Sequence, residues 1–220
     1  MKVVRTNTLQ SNGKGVPEKE TWASLLDHWH ASMNQYLDEM EGDDLPQWYN
    51  ERTHVGFLAA AVWKMDGVAL EEYSTSRQQQ NKSGSADSTP GRCDLYLNVK
   101  NLDCVVESKV EWFSNYSNDD AQRVRAKLKE AELQLLTLLK NERAEQAIGL
   151  CWALPWIKFV TGDEASVMTT FARQFEGDRS IVCVYHVEMA DRKEPEARYE
   201  KEQRSYPGII LVGKSFSALA

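Results

Sequence analysis

The sequence predicts an α/β fold in which a mixed central sheet is flanked by helices, with an N-terminal helical extension. Amphipathic segments with apolar residues at three- and four-residue spacing alternate with short segments rich in Val, Ile and Leu. Their order is helix, helix, three strands, helix, strand, helix and strand, which is typical of one sheet covered on both faces. The 220 residues are enough for one large domain.

Composition excludes several classes of protein. Hydrophobic residues make up 42% and charged residues 27% of the chain, as in globular proteins. No apolar run is long enough for a membrane helix, and the first residues lack the apolar core of a signal peptide. A net charge of −7 argues against a protein that coats nucleic acid through bulk positive charge. Four scattered cysteines predict reduced, buried thiols and a cytoplasmic location: Cys93, Cys104, Cys151 and Cys183.

The first third of the chain predicts an arm and two helices. Residues 1–17 are polar and contain glycine, which predicts a flexible N-terminal arm. Residues 18–46 carry a wide apolar stripe and form the N-terminal helix, which ends at EGDDLP. A second helix runs from Glu51 to Met65, because Asp66 and Gly67 stop it.

The middle of the chain predicts strands separated by a loop. Residues 68–76 indicate a strand, whereas 77–92 are rich in Gln, Ser, Asn and Gly and predict a mobile loop. Two hydrophobic strands follow within GRCDLYLNVKNLDCVVESKVEW, joined by a turn between Lys100 and Asp103. A long helix over 121–140 comes next, capped by Asn118 or Asp119.

The remaining segments complete one domain over 18–220. A buried strand at 147–156 ends the core of 50–156, and 157–220 adds a helix and two further apolar segments. The last of these contains GIILVGKS, which matches the P-loop pattern letter for letter. We reject a phosphate-binding loop there, because four apolar residues fill the variable positions and too few residues follow for a helix.

Three charged residues interrupt the two strands of the quoted segment. Asp94 lies on the first strand, and Glu107 and Lys109 lie on the second. Alternate residues of a strand project to the same side, so Glu107 and Lys109 share a face. A hairpin with this turn places Asp94 opposite about residue 108. Two carboxylates and an amine are therefore expected to converge.

Asp94, Glu107 and Lys109 together are suited to metal-dependent chemistry at a phosphoryl group. Two carboxylates and a backbone carbonyl, here that of Ser108, are the hard oxygen ligands that Mg²⁺ selects. A bound metal acidifies water and neutralises charge that develops on a phosphoryl group. The Lys109 amine can orient or deprotonate the attacking water, or stabilise the developing negative charge.

Asp94, twelve intervening residues and Glu107-Ser108-Lys109 resemble the signature of the PD-(D/E)xK nuclease superfamily, although Pro90 stands four residues upstream of Asp94 rather than beside it. The resemblance covers about residues 50–156. It implies a restriction-endonuclease-like fold and cleavage of nucleic acid, DNA by family preference, with Mg²⁺ or Mn²⁺. It also implies metal binding by Asp94, Glu107, the Ser108 carbonyl and a helix glutamate, for which Glu51 is the match and Glu72 a weaker rival.

Basic residues near this site are candidates for phosphate contacts. They are Arg77, Lys82, Arg92, Arg123 and Lys127. An alternative interpretation makes Arg123 and Lys127 part of a solvated helix face, and makes Asp94, Glu107 and Lys109 satisfied ion pairs of a catalytically silent binding module. If the chain is a nuclease, a partner subunit, a homodimer or a structure in the nucleic acid would supply its specificity.

Overall fold

The computed structural model describes residues 3–9, 18–41, 44–80, 86–114, 116–138, 144–156, 164–177, 179–187 and 206–217. These residues form a seven-stranded sheet with four α-helices and two short 3-10 turns. The elements are β1 (Val3–Leu9), α1 (Lys19–Glu39), α2 (Glu51–Lys64), β2 (Val68–Gln80), β3 (Ala86–Val99), β4 (Leu102–Phe113), α3 (Asn118–Leu138), β5 (Gln146–Pro155), α4 (Glu164–Ala172), β6 (Ser180–Val187) and β7 (Gly208–Ser217).

The sheet is mixed, as the sequence predicts. Its strand order is β1-β6-β7-β5-β4-β3-β2. The strands β4 and β5 pair in parallel, and α3 is the crossover between them. All other neighbouring strands in the described sheet pair antiparallel. This arrangement puts β4, the strand with the charged residues, next to the sheet centre.

Helices cover both faces of the sheet. The apolar stripe of α1 and the inner side of α2 bury Trp22, Trp29 and Leu58 against one face. The helices α3 and α4 cover the other face, where Val124 and Phe171 are buried. At Gly149 a Cβ atom would lie 3.1 Å from the Cβ of Ala131 on α3, so the missing side chain permits close contact of helix and strand.

The flexible arm predicted for 1–17 is wrong over Val3–Leu9. This segment is strand β1, which pairs antiparallel with β6 from Val3 opposite Val187 to Leu9 opposite Ile181. Four of its seven residues are β-branched, a composition that favours strands even in a polar segment. The edge of β6 supplies the backbone partners.

The mobile loop predicted for 77–92 is also wrong over most of its length. The strands β2 and β3 continue as a hairpin through Arg77 opposite Thr89 to Gln80 opposite Ala86. The ladder extends the inner part of the hairpin, where β3 is paired with β4, so backbone hydrogen bonds continue it without apolar side chains. This extension carries Arg77 to the charged residues of β4.

Other predictions agree with the structure. The helix α2 begins at Glu51, and GIILVGKS lies in strand β7 rather than in a phosphate-binding loop. All four cysteines are free and buried. No helix in the described part of the chain is both long enough and apolar enough to cross a membrane.

Candidate active site

Asp94 lies where β3 separates from β4. The ladder between these strands ends with Leu95 opposite Val106. Beyond it, the Asp94 Oδ2 accepts a hydrogen bond of 2.7 Å from the backbone N–H of Ser108. A side chain thus satisfies a backbone donor that the ladder leaves, and this bond ties the carboxylate to β4. The register differs by one residue from the predicted one, which brings Asp94 toward Glu107.

Glu107 and Lys109 project from the same face of β4, as their spacing predicts. The Lys109 Nζ lies 3.9 Å from Asp94 Oδ2 and 3.9 Å from Glu107 Oε2. It also donates a hydrogen bond to the Ser108 carbonyl oxygen at 2.5 Å. The structure therefore brings Asp94, Glu107 and Lys109 together, with the amine between the two carboxylates.

Ser108 anchors this part of β4 from the opposite face. Its hydroxyl oxygen accepts a hydrogen bond of 2.7 Å from Trp152 Nε1 on β5, and Ser108 is fully buried. Trp152 in turn stacks on His54 of α2, with ring centroids 5.1 Å apart. A fixed apolar layer behind the strand keeps Glu107 and Lys109 directed to the other side.

The N-terminus of α2 brings a third carboxylate. The Asn50 side chain caps the helix by accepting a hydrogen bond of 3.0 Å from the Arg52 backbone N–H. Glu51 is the first residue of the helix and lies beside Asp94. Burial raises the pKa of the Glu51 carboxyl from 4.5 to about 7; Lys109 opposes this shift, and the Asp94 charge adds to it.

Glu107 is the most deeply buried of these acids, with a side chain only 1% exposed. Burial raises its pKa from 4.5 to about 8, and the neighbouring Asp94 charge adds to the shift. Arg77 and Lys109 oppose it. The Arg77 guanidinium lies 2.8 Å from Glu107 Oε1 and forms an ion pair with it. A buried carboxyl whose pKa is raised in an open cleft is typical of functional sites.

The carboxylates border an open cleft of about 490 Å³. Six of the residues predicted for the site line this cleft: Glu51, Arg77, Arg92, Asp94, Glu107 and Lys109. Four further residues line the cleft, of which the sequence indicates only Glu72, as a weaker match than Glu51: Asn50, Arg52, Glu72 and Gln134.

Glu72 occupies an irregular position on β2. The ladder with β3 is interrupted there, and Glu72 has a φ of 51°, a left-handed conformation that is uncommon outside glycine. Its carboxylate forms ion pairs with Arg52 of α2 at 3.2 Å and with Arg92 of β3. Glu72 therefore holds two exposed guanidinium groups at the rim, whereas Glu51 adjoins Asp94 inside the cleft.

The structure does not place Arg123 and Lys127 in the cleft lining. Arg123 lies 3.3 Å from Glu111 and 2.5 Å from Asp120, and Lys127 lies 3.0 Å from Glu130. Glu111 follows Lys109 on the same face of β4, so Arg123 is next to the site along the strand. Their binding of nucleic acid stays a prediction, and Lys82 lies outside the described residues.

The described residues contain no group of three or more His, Cys, Asp or Glu side chains arranged to hold a metal ion. The donors that do meet at the cleft are the Asp94 and Glu107 carboxylates and the Ser108 carbonyl oxygen, with Glu51 beside Asp94. These are hard oxygen ligands, and the Asp94 charge adds to the burial that raises the pKa values of Glu51 and Glu107. The donor chemistry fits Mg²⁺ or Mn²⁺.

Gln134 is a candidate site residue that only the structure reveals. It projects from α3 into the cleft, and its Oε1 is buried without a hydrogen-bond partner among the described residues. Buried polar atoms are usually satisfied. In the sequence, one glutamine on a long amphipathic helix has no feature that distinguishes it.

Comparison with protein-family models, curated proteins and solved structures finds no match to this chain.

Proposed function

We propose that this protein hydrolyses phosphodiester bonds of nucleic acid, DNA in preference to RNA, in a reaction that depends on Mg²⁺ or Mn²⁺. The observation that carries the proposal is the meeting of Asp94, Glu107 and Lys109 in one open cleft beside Glu51. The order α2, β2, β3, β4, α3, β5 supports a restriction-endonuclease-like core, and the likeness of these residues to the PD-(D/E)xK signature supports the reaction.

The residues of the cleft have separate roles in this proposal. Asp94, Glu107 and the Ser108 carbonyl oxygen would hold the metal, with assistance from Glu51. When bound, the ion supplies an acidified water and charge neutralisation at the phosphoryl group. Lys109, 3.9 Å from both carboxylates, positions the attacking water and stabilises negative charge as it develops. The rim arginines Arg52 and Arg92 contact neighbouring phosphates.

Because the cleft is small and the chain carries a net charge of −7, we expect the protein to make few of these phosphate contacts. We propose that a partner subunit or a second copy of the chain supplies specificity, in the cytoplasm where four free buried thiols stay reduced.

The ion pair between Arg77 and Glu107 favours a second candidate, a catalytically silent binding module. At 2.8 Å this pair already satisfies one oxygen of the buried carboxylate without a metal. In such a module the charged residues would only stabilise the sheet, and added divalent cations would not stabilise the fold.

One experiment separates the two candidates. Supercoiled plasmid, linear duplex, single-stranded DNA and RNA are incubated with Mg²⁺ or Mn²⁺ and with wild-type protein, Asp94→Ala or Asp119→Ala. Asp119 is an exposed aspartate in the first turn of α3 and serves as the control. The nuclease predicts cleavage by wild type and Asp119→Ala and its loss in Asp94→Ala.

Thermal melting with the same cations completes this test. A metal that binds only the folded protein stabilises it by about 2.7 kcal/mol at 100 times its dissociation constant. Stabilisation of wild type that Asp94→Ala loses supports the metal site. Equal cleavage by all three proteins would refute the catalytic assignment. The absence of both cleavage and stabilisation by the metal would favour the silent module.

A further inference from the structure

Arg77 reaches the cleft from the extended part of the β2–β3 hairpin. Its terminal nitrogen lies 2.8 Å from Glu107 Oε1, on a carboxylate that is 1% exposed, whereas the Arg77 side chain is 20% exposed. The same nitrogen donates a hydrogen bond of 2.5 Å to the Arg92 carbonyl oxygen. One end of this pair is thus buried in the proposed metal site, and the other adjoins the rim.

Gly91 provides the path that this side chain takes. Gly91 lies on β3, and a Cβ atom there would come within 2.5 Å of Arg77 Cγ, 2.7 Å of Cδ and 2.8 Å of Nε. No other residue type could occupy this position without displacing Arg77. The guanidinium is therefore directed to Glu107 by a gap in one strand and by a carbonyl oxygen of the same strand.

A guanidinium and a divalent metal ion compete for Glu107. Both are cations that select carboxylate oxygens, and two cations at one buried carboxylate repel each other strongly. Arginine also binds phosphate, with five N–H donors in a planar fork. An incoming phosphate can engage other N–H groups of Arg77 while its bond to Glu107 is still intact, so the guanidinium can pass from one anion to the other.

We propose that Arg77 is a positioning residue that holds Glu107 until a phosphate group of the nucleic acid takes over its guanidinium, which frees Glu107 for the metal. The inference rests on the proposed nuclease function. It makes nucleic acid and metal binding mutually favourable, since a coupling between two sites acts in both directions. The protein alone then binds metal weakly, and the complete site assembles on substrate.

Three variants test this coupling by binding rather than by cleavage. Mn²⁺ affinity is measured by calorimetry at about pH 8.5, without nucleic acid, to limit proton competition at the carboxylates. Affinity for a 16-base-pair duplex is measured by fluorescence anisotropy in EDTA. The variants are Arg77→Met, Gly91→Ala, which keeps the charge but blocks its path, and Arg92→Met, which changes a rim arginine that pairs with Glu72.

The proposal expects opposite effects in Arg77→Met: Mn²⁺ binds about tenfold or more tightly, and the duplex binds less tightly. Gly91→Ala tightens Mn²⁺ binding and retains duplex binding. Arg92→Met weakens duplex binding and leaves Mn²⁺ affinity unchanged. A purely structural Arg77 would weaken both affinities when replaced.

Different results overturn different statements. Unchanged or weaker Mn²⁺ binding in both Arg77→Met and Gly91→Ala, with clear binding by wild type, refutes the role of Arg77 and leaves the nuclease proposal intact. Absence of Mn²⁺ binding in wild type and all variants refutes the metal site itself and the inference with it. If Arg77→Met does not fold, Gly91→Ala alone decides, because it removes no charge.

Discussion

The cleft and the outer side of α3 are both rich in charged residues, but these residues are arranged differently in the two regions. The charged residues inside the cleft, away from its rim, are Glu51, Asp94, Glu107, Lys109 and Arg77, which come from α2, β2, β3 and β4. The α3 pairs are Lys127 with Glu130 at 3.0 Å and Lys129 with Glu132 at 2.7 Å, each within one helix.

The α3 pairs cost little free energy to form, because helical spacing already brings the two partners together and both stay in contact with water. In the cleft, four elements must be positioned before the charges meet, and Glu107 loses nearly all of its solvent. Lys109 lies 3.9 Å from each carboxylate, so it does not pair closely with either one. Charge that is buried at a cost to stability, yet imperfectly paired, is what distinguishes a functional cluster from a solvated surface.

The largest effect that separates the two regions is expected from their lysines. Lys109→Ala should reduce the rate of nucleic acid cleavage at least about 100-fold, since charge stabilisation and proton transfer at the reacting group are lost. Lys129→Ala should retain most of the activity, because Lys129 is exposed and paired with Glu132 outside the cleft lining. Cleavage rates with Mg²⁺, at matched protein concentrations, check both statements.

The α3 pairs would themselves be part of the site if Lys129→Ala lost activity as fully as Lys109→Ala. In that case the contrast between the two regions would not hold.

Much of the fold follows from the periodicity of apolar residues. The helices α1 and α2 could be predicted because each buries an apolar stripe, and the strands β4 and β5 because each contains a run of apolar residues. The coverage of both sheet faces follows from the order of these elements. The strand β1 and the outer half of the β2–β3 hairpin could not be predicted. Their segments are polar, and only the backbone partners supplied by β6 and by the other arm of the hairpin reveal them.

The same division applies to the candidate site. The convergence of Asp94, Glu107 and Lys109 follows from the two-residue period of strands and a short hairpin turn. The ion pair of Arg77 with Glu107 could not be predicted, because it depends on a hairpin that the polar sequence hides and on the gap at Gly91. Nor does a charged residue in a strand indicate that it is 1% exposed, as Glu107 is.

A second contrast lies in the dependence of stability on pH. The Glu107 carboxyl titrates near 4.5 in the unfolded chain and at about 8 in the folded protein. Between these values the folded protein binds more protons, so its free energy of unfolding falls as pH rises. Glu51, with a pKa of about 7, adds to the decline. Glu107→Gln should therefore remove up to about 3–4 kcal/mol of this decline between pH 5 and 8.

Urea denaturation at a series of pH values measures the slope. The matched control is Glu130→Gln on α3, a glutamate that lies outside the cleft lining. A wild-type protein that becomes more stable from pH 5 to 8 would contradict the burial of an unfavourable charge at Glu107.

His54 should produce the opposite dependence of stability on pH. It lies on the buried side of α2, the helix that begins with Glu51. Burial lowers its pKa from 6.5 to about 4, because the ring is enclosed against Trp152. Below pH 6.5 the unfolded chain binds the extra proton first, so the free energy of unfolding falls as pH falls toward 4. His54→Phe should remove up to about 3 kcal/mol of this loss. Urea denaturation at pH 7 and pH 4.5 tests it, and an equal acid loss in both proteins would exclude His54 as its source.

The smallest effect is expected at the α3 pairs. Lys129 and Glu132 are three residues apart, and the Lys129 side chain is 61% exposed. Such a pair contributes about 0.2–0.5 kcal/mol, and a lysine that precedes its glutamate is the less favourable order. Lys129→Ala should therefore change the free energy of unfolding by less than about 0.5 kcal/mol, with a difference that shrinks in high salt because exposed charges are screened. Urea denaturation in low and high salt measures this difference. A loss of several kcal/mol would show that α3 depends on these pairs for its attachment to the sheet. The exposed ion pairs of the helix would then affect stability as much as the buried charges of the cleft do.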